Sequence, residues 1–183
     1  MAGTKSFDDY FRDFQERLTG YATNITSDHA YIHKGYGFIA VIIEEAQSSA
    51  FSVGFTTPAS GRDIHWRPAR ITTSADNVSM TVYEGDSFTG GTALTPVCLN
   101  RKIDAATTMQ AISTGVTATP AGTIIQAYNT GGGSGGNATG GGLSSGEERL
   151  LKPDTDYVVV FDPAGATDIY VELFWYEEEE FSA

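Results

Sequence analysis

Few residues in this chain have a type and spacing suited to chemistry, and two of them are histidines four positions apart. On a helix, His29 and His33 would share a face and could offer two imidazoles to a metal ion. No H-E-x-x-H arrangement and no cysteine accompanies them, and Gly35 and Gly37 follow closely. We therefore expect solvated or interface histidines here, and the sequence predicts neither a metal site nor a cofactor.

A dense positive cluster surrounds Trp66 in an otherwise acidic chain. Arg62, Arg67 and Arg70 flank the tryptophan, and His65 is adjacent to it. Two interpretations stay open, namely surface charges beside a strand or a contact to an acidic partner surface. Bases stacking on Trp66 are a third alternative, which the negative overall charge disfavours.

Searches for catalytic groups find no specific arrangement. The chain has no Gly-x-Ser-x-Gly motif, and Cys98 lies in an apolar Thr-Pro-Val-Cys-Leu setting that is typical of an inert buried thiol. Carboxylates are too abundant for any pair to stand out. The run Glu177–Glu180 is typical of a solvated tail, with weak binding of divalent cations or contact with a basic neighbour as alternatives. The sequence therefore predicts a protein that is not an enzyme.

Composition limits the class of protein further. The 183 residues include 11 Lys+Arg and 23 Asp+Glu, for a formal net charge of −12. This acid excess argues against direct contact with nucleic acid or with an anionic membrane. A single cysteine excludes an intrachain disulfide, and no apolar run approaches a membrane span. The first residues show no secretory signal, so we expect synthesis in the cytoplasm.

The N-terminal region has the spacing of an amphipathic helix. Phe7, Phe11, Phe14 and Leu18 recur at steps of four, three and four, which places them on one helical face. We call these four residues the N-terminal stripe. A helix of this length is marginal alone in water, so its stripe must pack against something. Docking on its own domain and reaching a neighbouring subunit as an arm both stay open.

Beyond Tyr36 the pattern changes to that of strands. The continuous apolar run at 38–43 predicts a strand buried on both faces, whereas alternation predicts half-buried strands elsewhere. We predict an all-β, jelly-roll-like β-sandwich at 31–183, preceded by a helical arm at 1–30. The clear strands are at 38–43, 51–56, 78–83, 123–128, 157–161 and 167–176, and weaker candidates are at 64–72, 94–99 and 108–113.

A glycine-rich tract at 131–146 interrupts this pattern. Nine of its sixteen residues are glycine. Glycine loses the most backbone entropy on ordering, so we expect a long loop between two strands of the sandwich. No Gly-Lys-Ser/Thr ends the tract, which argues against a phosphate-binding loop.

The order of several short motifs is more telling than any one of them. The motifs, in chain order, are His33-Lys34-Gly35, Phe55-Thr56-Thr57-Pro58, Val82-Tyr83-Glu84-Gly85, the stretch at 91–97, Asn100-Arg101, the stretch at 148–157 and the stretch at 171–177. Over roughly residues 33 to 177, this series is similar to tailed-bacteriophage virion structural proteins, including head-decoration (capsid cement) proteins.

This resemblance implies a non-enzymatic capsid component with a jelly-roll-like body on the outer surface of a phage head. Its partners would be the major capsid protein, whose adjacent subunits it clamps, and further copies of itself, as a homotrimer or alternatively a homodimer. The residues that suit such a contact are Phe7, Phe11, Phe14, Leu18, Arg62, Trp66, Arg67 and Arg70.

A receptor- or glycan-binding virion module, in a head fibre or at the tail, is the alternative function. Jelly rolls often bind sugars, and aromatic side chains can stack on a pyranose ring. Tyr128, Trp66 and Tyr176 are the candidates for such stacking.

Overall fold

Strands dominate the structure, as the alternating pattern predicts. The computed structural model describes residues 27–103, 105–130, 138–140 and 148–179. The N-terminal stripe and most of the glycine-rich tract lie outside these described residues.

Six antiparallel strands form the first sheet. They are β1 (Gly37–Gln47), β3 (Arg62–Thr73), β7 (Val97–Cys98), β11 (Ala138–Gly140), β12 (Arg149–Leu150) and β14 (Thr167–Glu179). Their order is β11-β3-β14-β1-β7, and β12 also pairs with β3.

The second sheet has six further antiparallel strands. They are β2 (Phe51–Thr56), β4 (Val78–Glu84), β6 (Thr92–Ala93), β8 (Gln110–Thr114), β10 (Thr123–Asn129) and β13 (Asp156–Pro163). Their order is β10-β4-β13-β2-β8-β6. A separate two-stranded ribbon joins β5 (Phe88–Thr89) to β9 (Thr117–Ala118).

The connectivity is that of a jelly roll. The chain alternates between the two sheets through β1, β2, β3 and β4, and the last two strands then insert between these. Strand β13 lies between β2 and β4, and β14 lies between β1 and β3. The all-β, jelly-roll-like sandwich predicted from the sequence is therefore confirmed.

The core lies between the sheets and is filled by the inward residues of the alternating strands. Phe55 stacks on Trp66 and on Tyr157, with ring centroids 5.1 and 5.3 Å apart. The predicted alternation in β4 and β14 is confirmed, because one full set of alternate residues is buried in each. These are Val78, Met80, Val82, Ile169, Val171, Leu173 and Trp175.

Strand β1 corrects one prediction. Its apolar run is buried on one face only, since Phe38 and Ile42 point into the core whereas Val41 and Ile43 are 52% and 58% exposed. A sheet in a two-layer sandwich has an inner and an outer face, so a continuous apolar run places half of its side chains outside.

A short helix, α1 (Ser27–Lys34), precedes β1 and was not predicted. This helix crosses the boundary that the sequence predicted between the arm at 1–30 and the sandwich at 31–183. Gly35 ends it with a φ of +83°, a conformation that favours glycine, and donates its N–H to the Ile32 carbonyl at 3.0 Å. The helix packs against β1 and β14.

The glycine-rich tract is bounded by β10 and β12, but it is not a loop throughout. Residues 138–140 form β11 and pair with residues 71–73 of β3. The prediction of a single long loop is corrected to this extent, because the edge of β3 offers backbone partners that the tract can use.

Candidate functional site

A network of charged and aromatic side chains covers one end of the outer face of the first sheet. The ring nitrogens of His65 lie 2.6 Å from a Glu148 oxygen and 3.1 Å from a Glu178 oxygen. The Tyr31 hydroxyl donates to Glu178, and Tyr176 stacks on both Tyr31 and His65. Burial, with further contributions from the neighbouring Glu178, raises the pKa of Tyr31 above its ordinary value. The network links α1, β3, β14 and the residue that precedes β12.

The contacts of this network join segments that are distant in sequence. Carboxylates occupy both ring nitrogens of His65, so neither nitrogen is open to a substrate or a metal ion. Glu148 lies between the glycine-rich tract and β12, so its contact with His65 holds the chain where it re-enters the sheet.

Two of the three predicted arginines also lie on the outer face. Arg67 Nε lies 3.4 Å from Glu148, and its side chain is only 12% exposed. Arg70 pairs with Glu172 at 3.0 Å and is 71% exposed. Arg70 is therefore the more accessible cation of the two for an outside partner.

Arg62 lies apart from these two and holds a buried carboxylate. Its guanidinium is 3.2 Å from Glu177, whose side chain is fully buried, and lies over the Tyr36 ring at 4.2 Å. Glu177 also accepts hydrogen bonds from the Thr107 hydroxyl at 2.5 Å and the Thr108 N–H at 2.8 Å.

The prediction of a solvated tail is therefore wrong for the start of the Glu177–Glu180 run. Glu177 is buried and Glu178 belongs to the His65 network. A sequence signal was available, because the inward register of β14 at positions 169, 171, 173 and 175 continues to 177.

Trp66 is a core residue, which corrects its assignment as a partner contact. Its side chain is fully buried, and its Nε1–H donates to Gln126 Oε1 at 3.2 Å. The side chain is therefore closed to a protein partner, a base or a sugar. Tyr176 is likewise buried at 2% exposure. Tyr128 is half-buried and donates its hydroxyl to the Ala69 carbonyl at 2.9 Å.

The two spaced histidines do share a face of α1. His29 Nε2 and His33 Nε2 are 2.9 Å apart on the exposed side of the helix. Across the described ranges, no group of three or more His, Cys, Asp and Glu residues is arranged to hold a metal ion.

Three of the sequence motifs meet at one corner of the second sheet, which we call the motif corner. Thr57 donates its hydroxyl to the Lys152 carbonyl at 2.6 Å and accepts the Thr155 N–H at 3.0 Å. The Tyr157 hydroxyl accepts the Lys152 N–H at 2.9 Å and donates to Glu84 at 3.1 Å. The Lys152 ammonium pairs with the same Glu84 at 2.7 Å. Burial raises the pKa of Tyr157, which therefore remains a donor.

An open cleft of about 460 Å³ lies beside the motif corner. Asp156 accepts a 2.6 Å hydrogen bond from the Thr56 hydroxyl, and Asp154 has a φ of +48°. The cleft is polar and acidic, which suits polar or cationic contacts better than an apolar ligand. Its lining consists of Thr56, Gly85, Ser87, Asp154, Thr155 and Asp156.

Fold and contacts together define an antiparallel jelly-roll sandwich in which Arg67, Arg70 and His65 on the outer face of the first sheet contact carboxylates. No family model matches this sequence, and no curated protein or solved structure is significantly similar to it. In the part of the chain that the structure describes, no helix is both long and apolar enough to cross a membrane.

Proposed function

We propose that this protein is a capsid decoration protein, which binds the outer surface of a tailed-phage head and clamps adjacent major-capsid subunits. The observation that carries the proposal is the motif corner. Motifs on which the resemblance rests, at 55–58, 82–85 and 148–157, are far apart in sequence and bonded to one another in the fold. These contacts help to hold together the jelly-roll body that the resemblance implies.

The charge of the chain suits this role. A net charge of −12 keeps free copies apart before assembly, and on the shell many small contacts across a large area must supply the affinity. Arg70 is the predicted arginine best placed to meet an acidic capsid loop, because it is the most exposed of the three. We propose a homotrimer, with a homodimer as the alternative, and no catalytic role.

The glycan-binding alternative has less support. Two of the three side chains that could stack on a sugar, Trp66 and Tyr176, are buried. The cleft at the motif corner is lined by polar residues and glycine. Of the three predicted side chains, only the half-buried Tyr128 is therefore left to stack on a sugar.

Cosedimentation tests the proposal. Full-length protein is mixed with empty expanded heads of the tailed phage that encodes it, and bound copies are counted per major-capsid subunit. We expect saturation at a fixed ratio near one copy per subunit and a higher temperature of head disruption. Binding of a few copies per head, or none, together with glycan binding by the isolated protein, would favour the alternative.

A charge-reversal variant locates the contact. Arg70→Glu is expected to weaken head binding, and Lys102→Glu, which makes the same change of charge at another exposed position, is the matched control. Equal head binding by both variants would show that Arg70 is not part of the contact. It would leave the proposed function itself in place.

A further inference from the structure

The outer face of the first sheet has an apolar strip that the described residues leave largely uncovered. Val41, Ile43 and Tyr170 are 52%, 58% and 46% exposed. The register places Ile39 opposite Phe174 and Ile43 opposite Tyr170. Between them, Val41 lies opposite Glu172, whose carboxylate pairs with Arg70 on β3, so the apolar side chains are continuous along β1 and flank Glu172 on β14. An exposed apolar band of this kind usually has a binding partner. We call the five apolar residues the apolar strip.

One end of the same face is already covered by α1. Tyr31 stacks on Tyr176 with ring centroids 4.7 Å apart, and Tyr176 is only 2% exposed. Tyr176 follows Phe174 by two residues and shares its face of β14, so the covered end and the apolar strip are continuous. Helix α1 therefore lies at the border of the apolar strip.

We infer that the N-terminal stripe packs on the apolar strip of its own chain. A helix of the twelve residues 7–18 is about 18 Å long, and the apolar strip extends about 14 Å along each strand. The eight residues 19–26 reach up to about 26 Å, which exceeds the separation of about 20 Å between Tyr176 and Tyr170. The tether and the two lengths are therefore compatible with docking along the strip.

Two further points favour the N-terminal stripe of the same chain as the occupant of the apolar strip. Both surfaces are apolar, and the stripe cannot maintain a stable helix without a surface to pack on. A short tether also gives the N-terminal stripe a millimolar effective concentration at the apolar strip of its own chain. The stripe of a second copy could compete for that strip only at a higher protein concentration. This inference does not rest on the proposed function, and it selects docking on its own domain from the two alternatives that the sequence left open.

Limited trypsin digestion of the full chain tests the inference, because Arg12 and Arg17 lie within the segment. We expect Val41→Ser combined with Ile43→Ser to speed cleavage at both arginines roughly tenfold or more, since cleavage follows the population of the undocked segment. Ile124→Ser is the matched control, because Ile124 is 57% exposed on the other sheet. Equal cleavage rates in wild type, variant and control would overturn the inference.

A second variant leaves the sheet unchanged and guards against a folding defect. Phe11→Ser combined with Phe14→Ser should give the same acceleration, and joining it to the strip variant should give no further increase, because both break one interface. Additive acceleration would overturn the inference. Protection that disappears on dilution would also overturn it, because the stripe would then lie on a neighbouring copy.

Discussion

Arg62 and Glu177 form an ion pair at 3.2 Å across 115 residues of sequence, with the Glu177 carboxylate fully buried. The hydroxyl of Thr107 and the N–H of Thr108 complete the coordination of that carboxylate. One acidic side chain thereby joins the start of β3, the end of β14 and the segment before β8. A buried charge is tolerated only when it is paired and hydrogen-bonded in this way.

Replacing this carboxylate should destabilise the protein strongly. We expect Glu177→Gln to lower the free energy of unfolding by about 2 kcal/mol, because a neutral amide would replace the buried carboxylate that Arg62, Thr107 and Thr108 contact. Urea denaturation followed by tryptophan fluorescence measures the change. Glu172→Gln is the control, since Glu172 and Arg70 are 42% and 71% exposed and should contribute below about 1 kcal/mol. Equal losses in both variants would contradict the assignment of Glu177 as a structural anchor.

Gly54 is expected to tolerate no side chain. A Cβ at this position of β2 would lie 2.5 Å from the ring of Phe88. We expect Gly54→Ala to cost about 1–3 kcal/mol in unfolding free energy, because the ring must move out of a packed position. In a Phe88→Ala background the same change should cost clearly less. The same cost in both backgrounds, measured by denaturant titration, would show that Phe88 is not the obstacle.

Stability should fall in strongly alkaline solution. Burial raises the pKa of Tyr128 above its ordinary value, so the folded chain keeps a proton that the unfolded chain releases above about pH 10. The stabilisation is complete below that pH and is lost as the pH rises further. We expect the unfolding free energy of Tyr128→Phe to fall less steeply above pH 10 than that of wild type. Parallel curves for the two proteins would contradict this account.

The single thiol should react only when the fold opens. Cys98 is 4% exposed, which confirms the sequence-based prediction of a buried cysteine. We expect a thiol reagent such as DTNB to modify the native protein at least about a hundredfold more slowly than the urea-unfolded chain, because the reagent must wait for opening. Fast labelling of native protein would indicate that β7, which lies at the edge of its sheet, opens readily.

Local patterns predicted most of the strands. The alternation through Val78, Met80 and Val82 marks β4, and the inward set from Ile169 to Trp175 marks β14, because side chains alternate along any strand whatever its neighbours are. The short helix α1 was missed because its eight residues have no strong apolar periodicity. Its stability comes from packing, as in the stack of Tyr31 on Tyr176.

The sequence by itself determined the class of fold, the absence of an intrachain disulfide and which residues alternate along each strand. Only the tertiary structure decided what each residue meets. It placed Trp66 in the core although arginines flank it, buried Glu177 beside Arg62, and left Val41 on the surface although apolar residues surround it in sequence. The reason is that jelly-roll connectivity pairs strands that are distant along the chain, and a residue's environment depends on that pairing.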